Sequence, residues 1–274
     1  MRTSVVTATL VLLAATASPT HVEGQGMIVE DIVYAHVDGM ATVYDVRTPA
    51  SPNGAGVIFV ISGGFLSTRG QQSFIAPVAE PLLSAGFTVF YLRHPSTPRY
   101  LAPEIYDTIR AGVAHILENA TDFGVDASRI GIMGMSTGGI LALLLAMDVR
   151  PEASSEQGER PAAVVAYMPV VDMRTEVGNV RATPSLGFAP ELAPSLSPVD
   201  FVSSDDPPVL SIHGQRDEVV PIAENSVRLQ ALLTEAGVPN DLVVVDAGHE
   251  LFAGEAKSTA DQAAVGWLRR HLLD

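Results

Sequence analysis

The pentapeptide Gly134-Met135-Ser136-Thr137-Gly138 stands between an apolar run at residues 129–133 and a longer one at 140–147. Between a strand and a helix, a G-x-S-x-G segment makes a sharp turn with the serine at its apex. The serine is held in a strained backbone conformation, and small flanking residues are needed where a Cβ would clash. The turn lifts the hydroxyl above the sheet and sets it at a helix N-terminus, whose dipole favours developing negative charge. Such a hydroxyl suits attack on an acyl carbon. It needs a base, because a neutral hydroxyl is a poor nucleophile near neutral pH. The chain has no cysteine, so no thiol competes for the role.

Seven histidines are available as that base. His21 precedes the folded region, His36 lies in a hairpin, and His115 and His271 sit in amphipathic helices. His94 follows an apolar run and could line a pocket. His213 and His249 both follow buried strands at the C-terminal end, where open α/β sheets keep their sites. His249 comes last, in a loop after the final strand, and is read as the general base. Asp217, at the end of the run at 209–212, is read as the acid that fixes the tautomer of His249 and stabilises its imidazolium. His213 is then a structural residue beneath that loop. Asp172, after the preceding strand, stays open as an alternative acid, because strand ends in such folds can exchange this role. Asp246 is three residues before His249, too close to turn back comfortably.

The oxyanion of an acyl transfer needs two or three backbone N–H groups. Thr137, immediately after the serine, supplies one. Another is expected from Ser62-Gly63-Gly64-Phe65, which follows the apolar run at 57–61 and whose glycines allow close backbone approach.

These side chains need a frame. Segments 28–37 and 41–46 alternate around Asp38-Gly39, which predicts a β-hairpin. Short runs at 57–61, 88–92, 129–133, 163–167, 209–212 and 242–245 are apolar on both faces, the pattern of buried parallel strands. Helical periodicity fills the gaps. Ile105, Ile109, Val113, Ile116 and Leu117 fall on one face of 104–117. Residues 140–147 form a nearly all-apolar, central helix, and 223–236 and 257–272 are amphipathic. The alternation predicts an α/β fold: a doubly wound, mostly parallel sheet with an N-terminal antiparallel hairpin.

A chain of 274 residues buries one large core. The formal charge of −15 makes nucleic acid an unsuitable partner, since phosphate binding needs clustered Lys and Arg. Residues 1–17 carry a basic start, an apolar run and small residues at Ala15-Thr16-Ala17. They are read as a signal peptide, which implies a secreted or periplasmic protein without stable membrane insertion. The catalytic domain then covers residues 27–274. Within it, residues 172–206 form an irregular insertion, rich in Pro and Ser and long enough for a lid.

Further motifs carry a resemblance. They are Phe123-Gly124-Val125-Asp126 through Ile130 before the elbow, Ser197-Pro198, Pro207-Pro208-Val209-Leu210, His213-Gly214 through Asp217 to Val220-Pro221, and Gly248-His249. From about Val57 onward the chain resembles the α/β-hydrolase superfamily, in particular small carboxylesterases related to acetyl- and feruloyl-esterases and to hormone-sensitive-lipase-like enzymes. The order Ser…Asp…His is the one that fold uses. The resemblance implies a carboxylic-ester hydrolase acting on a small-molecule ester, with no cofactor and no metal, and with no long apolar cap evident in the sequence a short-chain acyl group is expected. It makes Gly64 and Phe65 the oxyanion donors beside Thr137. Where those esterases carry His-Gly-Gly-Gly, this chain has Ser62-Gly63-Gly64-Phe65, and a serine is not expected to support the loop as a histidine would. Tyr91-Leu92-Arg93-His94-Pro95 likewise departs from their Tyr-Arg-Leu-Ser-Pro. The rival readings are a peptidase of the prolyl-oligopeptidase type, for which the roughly 56 residues before Val57 are too few to build the accessory domain, and a non-catalytic binding protein of the same fold.

Overall fold

The computed structural model of the chain describes residues 20–22, 26–148, 160–175, 190–250 and 253–274. The expected signal at 1–17 and the middle of the insertion, 176–189, lie outside the described residues.

Asp38 and Gly39 both have positive φ, 50° and 76°, and Val37 pairs with Met40 across them. A two-residue turn of that kind matches the twist of the strands it joins, β2 (Gly26–Val37) and β3 (Met40–Thr48). A short β1 (Thr20–Val22) pairs antiparallel with β2. The apolar runs become β4 (Gly56–Val60), β5 (Thr88–Leu92), β6 (Ile130–Met135), β7 (Val164–Tyr167), β8 (Val209–Gly214) and β9 (Asn240–Val245). All nine form one sheet in the order β1-β2-β3-β5-β4-β6-β7-β8-β9. The six from β4 to β9 run parallel, and β3 joins β5 antiparallel.

Alternate strand residues feed two cores. Ile58, Val60, Phe90, Leu92 and Ile132 face one, which helices α3 (Ala102–Glu118), α4 (Thr137–Met147) and α5 (Arg228–Ala236) cover. Val57, Phe59, Val89, Tyr91 and Met133 face the other, where α1 (Arg69–Ile75), α2 (Glu80–Ser84) and α6 (Gly254–Leu272) pack. Burial on both faces is why these strands lack polar alternation. In α3, Ile105, Ile109 and Ile116 are fully buried, as the periodicity predicts. The segment expected to be one helix from 223 opens instead with a π-helical turn, Ala223–Val227. The described end of the insertion forms short 3-10 turns at Pro190–Leu192, Pro194–Leu196 and Pro198–Asp200, with Ala193 and Leu196 in the first core.

Strand order decides which loops meet. β4 and β6 are neighbours with Val60 opposite Gly134, so the loop after β4 abuts the turn after β6. β8 and β9 are neighbours with Gly214 opposite Val245, so the loops carrying Asp217 and His249 also meet.

Candidate active site

Ser136 sits between β6 and α4 with φ 53° and ψ −117°, a conformation L-residues rarely adopt. Gly134 makes the turn possible: a Cβ there would run into the backbone carbonyl of Gly138. Ser136 N–H donates to Tyr167 O at 2.9 Å, which pins the elbow to β7.

His249 Nε2 is 3.2 Å from Ser136 Oγ, and its Nδ1 is 2.8 Å from Asp217 Oδ2. Because a carboxylate only accepts, Nδ1 carries the proton, and Nε2 is left to accept from the serine hydroxyl. The Asp217 side chain is fully buried. Its other oxygen accepts the N–H groups of Val219 (2.9 Å) and Val220 (2.8 Å). Burial alone would raise its pKa. Hydrogen bonds from His213 and His249 and from Val220 N–H outweigh that, so the group stays ionised well below the usual carboxylate range. At Gly214 the acid-bearing strand passes so close to the base-bearing loop that a Cβ would strike the carbonyls of Ala247 and Gly248.

The loop after β4 is a tight turn. Gly63 and Leu66 exchange both backbone hydrogen bonds at 3.0 Å, and Gly64 and Phe65 each have φ 59°. A buried phenylalanine in the left-handed region is uncommon and marks a constrained loop. Gly64 N–H has no acceptor among the described residues, and Thr137 N–H is free as the first amide of α4. Phe65 N–H donates to Thr137 Oγ1 at 3.3 Å, and Thr137 Oγ1 lies 3.1 Å from the buried Ser62 Oγ. So Ser62 does brace this loop, through the hydroxyl of Thr137, where the sequence suggested that a serine could not. Nothing local in the sequence signals a contact between side chains 75 positions apart.

Asp172 stands away from the imidazole. Arg174 grips it with Nε and Nη2 at 2.7 and 3.1 Å, and Arg228 Nη1 adds a third contact at 2.8 Å. Burial raises its pKa, but the Arg174 and Arg228 hydrogen bonds prevail and hold it at about 2. Asp246 points outward and pairs with Arg216. His94 is buried, with Nδ1 2.6 Å from Pro95 O, while His115 meets Tyr44 and His271 packs at a tilt against Trp267. Of the six residues expected at the site, the structure brings Ser136, His249 and Asp217 into one chain of hydrogen bonds. It sets Gly64, Phe65 and Thr137 along the neighbouring loop junction.

A parallel sheet with a strained serine after its third parallel strand and a histidine after its last defines an α/β-hydrolase. The BD-FAE family model matches residues 44–233, and the chain belongs to that family of α/β-hydrolase esterases. It is similar to Esterase LipQ of Mycobacterium tuberculosis, with 27% identity over 67% of this chain and 47% of that protein. Similarity to the acylamino-acid-releasing enzyme of Rattus norvegicus reaches 24% identity over 89% of this chain and 35% of that one. The chain thus spans about half the length, or less, of these relatives. Among solved structures, a truncated carbohydrate esterase from gut microbiota superposes with a TM-score of 0.78 at 23% identity, covering 94% of this chain and all of that one. The likeness establishes a shared fold.

Proposed function

We propose that the protein is a carboxylic-ester hydrolase that works through an acyl-enzyme on Ser136. The observation that carries this is the bridge made by His249, 3.2 Å from Ser136 Oγ on one side and 2.8 Å from Asp217 on the other. Ser136 Oγ attacks the acyl carbon as its proton passes to His249 Nε2. Gly64, Phe65 and Thr137 N–H groups receive the oxyanion, with Phe65 turning from Thr137 Oγ1 to do so. The imidazolium then protonates the departing alkoxide. Water repeats the sequence: it gives a proton to His249, attacks the acyl carbon and releases the acid, and Ser136 regains its proton.

Relatives named as esterases and the family assignment support esters over amides. A second reading, a peptidase, draws on the similarity to the acylamino-acid-releasing enzyme. A panel of p-nitrophenyl esters of increasing acyl length, run beside N-acetyl-aminoacyl p-nitroanilides, separates them. The expected result is turnover of the esters, highest for acetyl to butyryl. Faster turnover of the anilides would reverse the assignment. Residues 1–17 are read as an export signal, and the N-terminus of the mature protein tests that reading.

A further inference from the structure

His213 is fully buried against the carboxylate just described. Its Nε2 lies 2.8 Å from Val220 O, an atom that only accepts, so Nε2 carries a proton. The same nitrogen faces Asp217 Oδ2 at 3.4 Å, a longer contact than the one to Val220 O. On the far side of the ring, Nδ1 is 2.7 Å from Ser226 Oγ, and Ser226 is itself fully buried. With Nε2 directed at Val220 O and Nδ1 at Ser226 Oγ, the ring is fixed from both ends.

The anchor is built into an irregular element. Ser226 lies in the π-helical turn Ala223–Val227, and such turns recur at functional sites. The preceding residue, Asn225, ties the same turn to the loop after β7 by accepting Val171 N–H at 3.1 Å, and its amide donates to Pro221 O, four residues back, at 2.8 Å. The ring of His213, itself on β8, is thus held by the loop that carries Asp217 and by the π-helical turn.

Asp217 shows why this matters. Backbone amides occupy Oδ1, while two imidazole nitrogens face Oδ2, His249 Nδ1 at 2.8 Å and His213 Nε2 at 3.4 Å. His249 gains and loses a proton in every half-reaction, so it is the changing partner, and His213 is the constant one. Its bond to Val220 O also fixes the peptide beside the amides that grip Oδ1.

We propose that His213, anchored by Ser226, is a positioning residue that holds the Asp217 carboxylate in the orientation His249 Nδ1 requires. The proposal rests on reading Ser136, His249 and Asp217 as the catalytic residues.

The test compares His213→Asn, His213→Gln and Ser226→Ala. An asparagine amide reaches only the place of Nδ1, whereas a glutamine amide can put an N–H where Nε2–H was. Two readouts apply: the downfield proton resonance of the His249–Asp217 hydrogen bond, which needs no substrate, and kcat and KM for an activated ester. His213→Asn is expected to shift that resonance upfield and lower kcat by roughly ten- to a hundredfold, the worth of one hydrogen bond to a charged group, with KM nearly unchanged. His213→Gln should recover most of both. Ser226→Ala leaves the ring in place but free to turn, and should cost about fivefold in kcat. A folded His213→Asn with the wild-type resonance and kcat would overturn the proposal, as would a glutamine no better than asparagine. Should position 213 tolerate no change, an unaltered resonance and kcat in Ser226→Ala would overturn it instead. A wild-type protein that shows the resonance and its loss in the variants but hydrolyses no ester would sink the esterase reading alone.

Discussion

Two aspartates followed strand ends in the sequence, and their surroundings separate them. Asp217 is buried, receives two backbone amides and faces two imidazoles, while Asp172 is consumed by two arginines. Asp217→Asn should therefore lose about ten-thousandfold in kcat, because an amide opposite Nδ1 favours the wrong tautomer. Asp172→Asn should leave kcat within a few-fold and lower stability by about 1 kcal/mol. That figure is kept small because Arg174 and Arg228 are each more than two-fifths exposed and solvent screens them. Both variants measured with one activated ester decide the matter, and a large loss at Asp172 with a mild one at Asp217 would reverse the assignment. Much at this scale was legible. The serine could be read because its turn demands a fixed local pattern, and His249 because it follows the last strand. The hydroxyl pair Ser62–Thr137 and the contact from His213 could not be read, since each depends on how separate strand ends are brought together.

At the scale of elements, the parallel strands could be read because both faces are buried and each appears as a short, unbroken apolar run. Asp38-Gly39 marked the hairpin because both residues tolerate positive φ. The short helices α1 and α2, of seven and five residues, carry too little periodicity to stand out. The π-helical turn was read as ordinary helix, because its apolar spacing differs by a single residue. Close approach of elements also makes a prediction. Gly214 lets β8 run against the loop before His249, where Arg216 N–H donates to Ala247 O at 2.9 Å and Gln215 N–H to Val245 O at 2.8 Å. Gly214→Ala must push these loops apart. Overpacking of this kind costs about 1–3 kcal/mol, so the melting temperature should fall by roughly 5 °C. A displacement near 1 Å between acid and base should cut kcat by about a hundredfold. Wild-type kcat in this variant would show that the close passage is not what aligns the pair.

The whole molecule has no disulfide and depends on its core and on buried polar groups that must keep their charge state. His94 is one of these: burial outweighs its backbone hydrogen bond to Pro95 and pushes its pKa down to about 4. The folded protein keeps this ring neutral, while the unfolded chain takes up a proton below about 6.5. Its contribution is complete above pH 6.5 and is lost as pH falls toward 4, amounting to roughly 3 kcal/mol over that window. Asp172 adds a second acid-sensitive step, complete above its unfolded value near 4 and lost as pH falls toward 2. His94→Asn retains a donor in the place of Nδ1 and removes the titration. Denaturant unfolding of this variant should show a flatter dependence between pH 6.5 and 4 than the wild type. An unchanged slope would move the acid sensitivity to other groups.

The proposed function puts the chemistry on one hydroxyl, lifted by a strained turn and addressed by His249. Treatment with a fluorophosphonate, followed by mass mapping of the adduct, tests it without any assumption about the natural ester. A single adduct on Ser136 is expected, formed in step with the loss of p-nitrophenyl acetate hydrolysis and absent in His249→Ala. An unmodified Ser136 in a protein that still hydrolyses the ester, or an adduct elsewhere that accounts for the inhibition, would contradict it.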